Sequence, residues 1–224
     1  EKWRPDFAKA DVVLSNYNGQ DWPANVQKSF VAYVSGGGGF VVVHAANNSF
    51  GKWDEYNRMI GVGGWGGRKI GPEAPWVHVE NGKVVRDTET KGNGGSHGPR
   101  HPFVVEHLDT THPITKGLPE KWLHQKDELY CRLCGPAVNM EVQGFAHSPQ
   151  SKRNEPMLMT IAHGEGRVFH TPMGHDVEAM RCRGFFTILQ RGTEWAATGE
   201  VKRTAKVPTD FPTEDEVSVV PEAK

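Results

Sequence analysis

One stretch constrains this chain more than any other: Gly36-Gly37-Gly38-Gly39-Phe40-Val41-Val42-Val43-His44-Ala45-Ala46. Four glycines cannot carry a helix onward, because each costs about 1 kcal/mol relative to alanine there. The apolar run that follows does not alternate, so it reads as a short strand buried on both faces. In open α/β sheets, ligands bind outside the carboxyl ends of such strands. His44 stands at that position.

The preceding residues supply the partner elements. Asp11-Val12-Val13-Leu14 reads as a short buried strand, and Ser15–Gly19 as the loop at its end. Asp21 is expected to cap a helix that Pro23 opens. Val26, Phe30, Tyr33 and Val34 then fall at i, i+4, i+7 and i+8, one helical face. Gly36 ends it. Strand, helix, strand with a right-handed crossover is a parallel βαβ unit.

Beyond His44, residues 45–49 read as a polar loop and Trp53–Ile60 as a short helix stopped by Gly61. Residues 61–100 form a long Gly- and Trp-rich insertion with a hairpin turn at Glu80-Asn81-Gly82-Lys83. Such insertions more often wall a site than idle. Strands are expected at Pro102–Leu108, Met140–Ala146, Met157–His163 and Arg167–Thr171, and a closing helix at Phe185–Ala197. Asp127-Glu128-Leu129-Tyr130 reads as a loop or short helix. The domain spans 1–198, and 199–224 is an extended polar tail.

Composition excludes several classes. With 26 Lys and Arg against 27 Asp and Glu, the formal charge is −1, which gives no electrostatic footprint for nucleic acid or an anionic membrane. No run approaches the ~18 apolar residues of a membrane span. The expectation is a soluble protein, cytoplasmic or exported after leader removal; self-association is left open. Cys131-Arg132-Leu133-Cys134 has no second pair and is a weak zinc or redox signal. There is no G-x-S-x-G elbow, no H-E-x-x-H and no G-x-G-x-x-G opening a helix after a strand.

Histidines carry the chemistry. His175, in Gly174-His175-Asp176, follows the last strand as His44 follows its own, and His97 lies between glycines in the insertion. Two strand-end histidines on one sheet edge can converge. With carboxylates from Asp127, Glu128 or Asp176 they form either an acid–base set or a divalent-metal site. The expected catalytic residues are His44, His175, Asp176 and Glu128. The expected substrate contacts are Trp53, Asn47, Tyr130 and Asp127, with Trp65 and Trp76 as further stacking candidates. The expected metal ligands are His44, His97 and His175, with zinc as the first choice.

Four blocks then resemble one family. They are Gly37–Ala46, His112-Pro113-Ile114-Thr115-Lys116-Gly117-Leu118-Pro119, Asp127-Glu128-Leu129-Tyr130, and Gly164–Asp176 followed by Arg191-Gly192-Thr193-Glu194-Trp195-Ala196. In this order, from about residue 11 to about 198, they resemble the trehalose-utilisation, or ThuA-like, family. The resemblance implies the class I glutamine amidotransferase-like fold: a flavodoxin-like, mostly parallel sheet with helices on both faces. It implies a first strand that is central in that sheet, and an N-terminal strand–helix–strand that is here missing or replaced, since only ten residues precede Asp11. It also places His44 roughly where the wider group has its nucleophilic cysteine, and His175-Asp176 where that group has its histidine and acid. No cysteine lies near His44, so glutamine amidotransfer is not expected. The expected function is sugar metabolism, as a metal-assisted sugar-modifying enzyme or hydrolase. The alternative is a sugar-binding or accessory domain without catalysis.

Overall fold

The computed structural model describes residues 3–221. Its strands are β1 (Val12–Ser15), β2 (Gly39–Val43), β3 (Lys69–Ile70), β4 (Trp76–Glu80), β5 (Lys83–Asp87), β6 (Gly92–Asn93), β7 (Ser96–His97), β8 (His101–His107), β9 (Lys121–Asp127), β10 (Tyr130–Cys131), β11 (Met140–Ser148), β12 (Arg153–His163) and β13 (Gly166–Thr171). The α-helices are α1 (Ala24–Ser35), α2 (Asp54–Ile60), α3 (Val177–Met180) and α4 (Arg183–Thr198).

The main sheet runs in the order β1-β2-β13-β12-β11-β8-β9, with the β4–β5 hairpin attached through β12. Only β1–β2 and β2–β13 are parallel, and every later neighbour is antiparallel. The expected mostly parallel, flavodoxin-like sheet is therefore corrected to a mixed sheet with a three-stranded parallel part. The reason is connectivity. Parallel neighbours need a long crossover, whereas antiparallel ones need only a turn. His163–Gly166 is such a turn, linking β12 to β13. Four reversals separate β13 from β9, so β9 ends on the same edge as β2 and β13.

Helices do cover both faces of the parallel part. Val26, Phe30 and Val34 of α1 and Tyr56, Met59 and Ile60 of α2 join Phe40, Val42 and Val168 in one core. Phe185, Ile188 and Ala196 of α4 join Val41, Val43 and Phe169 in the other. Every residue of β2 is buried, as its unbroken apolar run requires. Gly192 lets α4 lie close on β13: a Cβ there would run into the Phe169 ring.

Other expectations change in detail. β1 lies at the sheet's edge among the described residues, not at its centre, and Leu14 is exposed. Pro23, not Asp21, precedes the first turn of α1, and no side chain caps it. Residues 44–48 form a 3-10 helix in place of a loop. The segment ending at Asp127 is strand β9, and Tyr130 begins β10. The tail is pinned to the domain: Leu123 N–H donates to Thr213 O at 2.7 Å, and Arg183 N–H to Ser218 O at 2.8 Å. No described helix is long and apolar enough to cross a membrane.

Candidate functional site

Three strand ends converge. Val43 of β2 pairs with Thr171 of β13, so the loops bearing His44 and His175 leave the sheet side by side. β9 brings Glu128 to the same edge. His44 Nε2 lies 3.2 Å from His175 Nδ1 and 3.8 Å from Glu128 Oε2, and His175 Nδ1 lies 3.2 Å from Glu128 Oε2.

His44 adopts φ +47°, in the left-handed region that residues other than glycine seldom enter. Strain of this kind persists where surrounding structure over-determines it. Here Nδ1–H donates to Pro172 O at 2.8 Å, a bond that leaves Nε2 unprotonated because a carbonyl can only accept. Burial lowers the His44 pKa, so the ring is neutral near pH 7. Tyr130 Oη lies 3.0 Å from Nε2 and is its hydrogen donor. Burial pushes the Tyr130 hydroxyl up to about 12, which keeps it protonated.

Asp127 anchors the arrangement from beneath. Its fully buried carboxylate accepts the backbone N–H groups of Glu128 (2.7 Å), Gly174 (2.6 Å) and His175 (3.0 Å). His124 Nε2–H adds a fourth bond at 2.8 Å. Burial opposes charge on His124, but the Asp127 carboxylate and the neighbouring Cys182 thiol outweigh it and raise its pKa to about 9. Gly174, at φ +99° with the Phe185 ring 2.8 Å from an added Cβ, lets the β13 loop come this close.

The insertion supplies a wall. β7 pairs His97 with Tyr130 of β10, and His97 Nε2 lies 3.8 Å from Glu128 Oε1. The Trp65 ring packs 4.7 Å from the Tyr130 ring. Beside them opens a cleft of about 610 Å³, lined by Asn18, Asp21, Asn48, Lys52, Trp65 and Tyr130 among others. Arg68 secures its floor, donating to the carbonyls of Asn48 (3.2 Å), Ser49 (2.7 Å) and Gly64 (2.9 Å).

The residues anticipated from sequence divide accordingly. His44, His175, Glu128, His97 and Tyr130 come together. Asp127 lies under the cluster, out of a ligand's reach. Asp176 is turned away: its carboxylate caps α3 through Ala179 N–H at 2.9 Å and pairs with Arg100 at 2.6 Å. Asn47 points inward, with Nδ2 donating to His170 Nε2 at 3.0 Å, and Asn48 takes its place at the cleft. Trp53 packs against Trp22, Phe50 and Tyr56, and Trp76 donates to buried Glu155. Of the three tryptophans expected to stack on a sugar, Trp65 alone lines the cleft. Sequence reasoning missed Arg68, Asn48 and His124. Arg68 and His124 had no local pattern to signal them, and Asn48 only its adjacency to Asn47.

Comparison with known proteins follows the same lines. The family model described as ThuA, trehalose utilisation, matches residues 5–196. A crystal structure of a ThuA-like protein from Parabacteroides merdae is 44% identical with a TM-score of 0.90, covering 96% of this chain and 80% of that one. A ThuA-like protein from Bacteroides uniformis is 20% identical with a TM-score of 0.58, covering 89% of this chain and 77% of that one, a likeness of fold. Among curated proteins, none matches.

Proposed function

Because the chain belongs to the ThuA, trehalose-utilisation family, we propose that it is a carbohydrate-active enzyme that moves a proton at a hydroxyl or carbonyl of a bound sugar. The observation that carries this reading is the convergence of His44, Glu128 and His175 from three strand ends beside one cleft. A sugar offers hydroxyl groups and a C–H face. The cleft answers with Asn18, Asp21, Asn48 and Lys52 for the first and the Trp65 and Tyr130 rings for the second. Its volume of about 610 Å³ lies within the usual range for small-ligand sites.

The division of labour follows from geometry. Glu128, part-exposed between His44, His97 and His175 and behind the Tyr130 and His97 wall of the cleft, is assigned the proton exchange with the ligand. His175 lies against it and hands the proton on toward solvent. His44, held in one tautomer by Pro172, and Tyr130 orient the pair. No thiol stands at the site: all three cysteines are buried, none follows β2, and burial pushes Cys131 and Cys134 up to about 11. At Cys182 burial is outweighed and His124 holds the pKa down, but the thiol is buried against that histidine.

The test incubates the protein with a panel of disaccharides, trehalose included, and of reducing monosaccharides, with product detection by NMR. The expected result is turnover of at least one sugar, falling about 100-fold or more in Glu128→Gln and His175→Ala. Tight binding without turnover would establish the accessory-domain alternative instead. No binding to any sugar would sink both.

A further inference from the structure

We propose that His44 Nε2, His175 Nδ1 and the Glu128 carboxylate form a three-ligand site for a divalent cation of the zinc type, next to the Tyr130 and His97 wall of the cleft. This names a cofactor for the same pocket. It rests on the sugar reading for what the ion does, not for whether the ion binds.

The distances carry the argument. Nitrogen and oxygen donors bind zinc at about 2.0–2.2 Å in a tetrahedron, which puts any two of them about 3.4 Å apart. The three separations here are 3.2, 3.2 and 3.8 Å, straddling that value. An octahedral ion with bonds of about 2.1 Å would bring adjacent donors to about 3.0 Å. All three observed separations exceed that.

Hydrogen bonding does not tie all three of the trio to one another: the His44 Nε2 lone pair takes the Tyr130 O–H at 3.0 Å, a bond that an ion there would displace. His44 Nε2 has no proton, since Nδ1–H is committed to Pro172 O at 2.8 Å. A proton on His175 Nδ1 points at Glu128 Oε2, 3.2 Å away, which leaves the equally close His44 Nε2–His175 Nδ1 approach without a hydrogen bond of its own. A cation between the three is attracted by all of them at once.

The supports are those of a metal centre. Ligating histidines commonly donate their second N–H to a backbone carbonyl, as His44 does to Pro172. The Asp127 carboxylate clamps the backbone N–H groups of both Glu128 and His175. His97 Nε2 lies against Glu128 Oε1, leaving Oε2 for the ion. Sequence reasoning expected His97 as the third ligand. Glu128 takes that place here, and His97 stands behind it. Two imidazoles and one carboxylate, with no thiolate, suit a catalytic rather than a structural zinc site. Such an ion would polarise a sugar oxygen or lower the pKa of bound water, and Glu128 and His175, as its ligands, would hold it in place of relaying the proton themselves.

The test uses the full chain. The protein is stripped with chelator, checked for fold by circular dichroism and titrated with Zn²⁺ by calorimetry. Co²⁺ loading is followed by visible absorption, which is intense for tetrahedral sites. The expected result is one equivalent of Zn²⁺ with a raised Tm and a tetrahedral Co²⁺ spectrum. His175→Ala and Glu128→Gln should each weaken binding at least tenfold, whereas His97→Ala keeps the stoichiometry. The proposal is overturned if stripped, folded wild-type protein binds no stoichiometric Zn²⁺, or if both ligand variants bind as wild type does. Sugar turnover by metal-free protein at the rate of the loaded protein would overturn the ion's part in the reaction and leave the sugar reading standing. Stoichiometric metal without sugar binding would do the reverse.

Discussion

At the scale of single residues, the site depends on orienting groups as much as on those that reach the ligand. Tyr130 is the sharpest case. Its hydroxyl stays protonated, because burial holds it at about 12, and it lies 3.0 Å from His44 Nε2. Tyr130→Phe keeps the ring that packs on Trp65 and His44 and deletes that donor, together with the acceptor of Asn48 Nδ2 at 3.4 Å. One net hydrogen bond is worth about 0.5–1.5 kcal/mol. The variant should therefore lose roughly 3- to 10-fold in kcat and also melt at a lower temperature, since the same bond supports the fold, and steady-state kinetics beside a melting curve would check both. His44 and His175 were legible as a pair because each lies just beyond the carboxyl end of a strand, His44 at once and His175 after a short loop. Asp127 was legible only as a charge. Its role as a buried anchor depends on Gly174 and His175, nearly fifty residues away, and no local pattern encodes that contact.

At the scale of elements, β2 and β9 differ in how plainly they declare themselves. β2 is apolar at every position, so its burial and strand character are read directly. β9 buries alternate residues in its middle, but these include His124 beside Trp122, and Asp127 at its end. Polar groups at buried positions blur the period-two pattern, and the strand goes unseen. Helix α4 shows the opposite conflict. Gly192 sits mid-helix, where propensity alone favours alanine by about 1 kcal/mol. The Phe169 ring occupies the space a methyl group would need. Overpacking of this kind costs about 1–3 kcal/mol. Gly192→Ala should thus destabilise the protein despite its better propensity, and a shift of the urea midpoint to higher concentration would refute this account of the α4–β13 contact.

At the scale of the whole molecule, buried charged and titratable groups tie distant segments together. Arg191 is fully buried and donates to the carbonyls of Ile114 (3.2 Å), Lys116 (2.9 Å), Thr204 (3.1 Å) and Ala205 (2.6 Å). It joins α4, the 112–118 connector and the tail. Arg191→Lys cannot reproduce that planar fork. It should cost roughly 2–4 kcal/mol, given about 1–3 kcal/mol for each acceptor left bare, and should expose the segment after Gly199 to limited proteolysis. Stability should also fall on both sides of neutrality. Burial holds His107 and His170 at about 4, so below the ordinary histidine value the unfolded chain takes up protons that the native state refuses. Their contribution is present above about pH 6.5 and lost as pH falls toward 4, up to about 3 kcal/mol each. His124 acts in the opposite sense. Its pKa is raised to about 9, so its contribution is complete below about 6.5 and lost as pH rises through 9. Urea midpoints measured from pH 4 to 10 should trace a maximum near neutrality, and a flat profile would contradict these assignments.

What the amino-acid order determined by itself is local: a buried glycine-led strand, the helix before it, the hairpin turns, and histidines stationed where strands end. Those follow from side-chain periodicity and backbone freedom, which act over a few residues. Only the tertiary structure decided that β9 curls round to the edge where β2 and β13 finish, that Glu128 completes the trio, and that Asp176 and Asn47 face elsewhere. These outcomes rest on antiparallel reversals and on a carboxylate that gathers backbone N–H groups from separate strand ends. Contacts across such sequence distances leave no periodic trace. The opening strand and its histidine thus mark where the site lies, and the sheet's return path settles which groups share it.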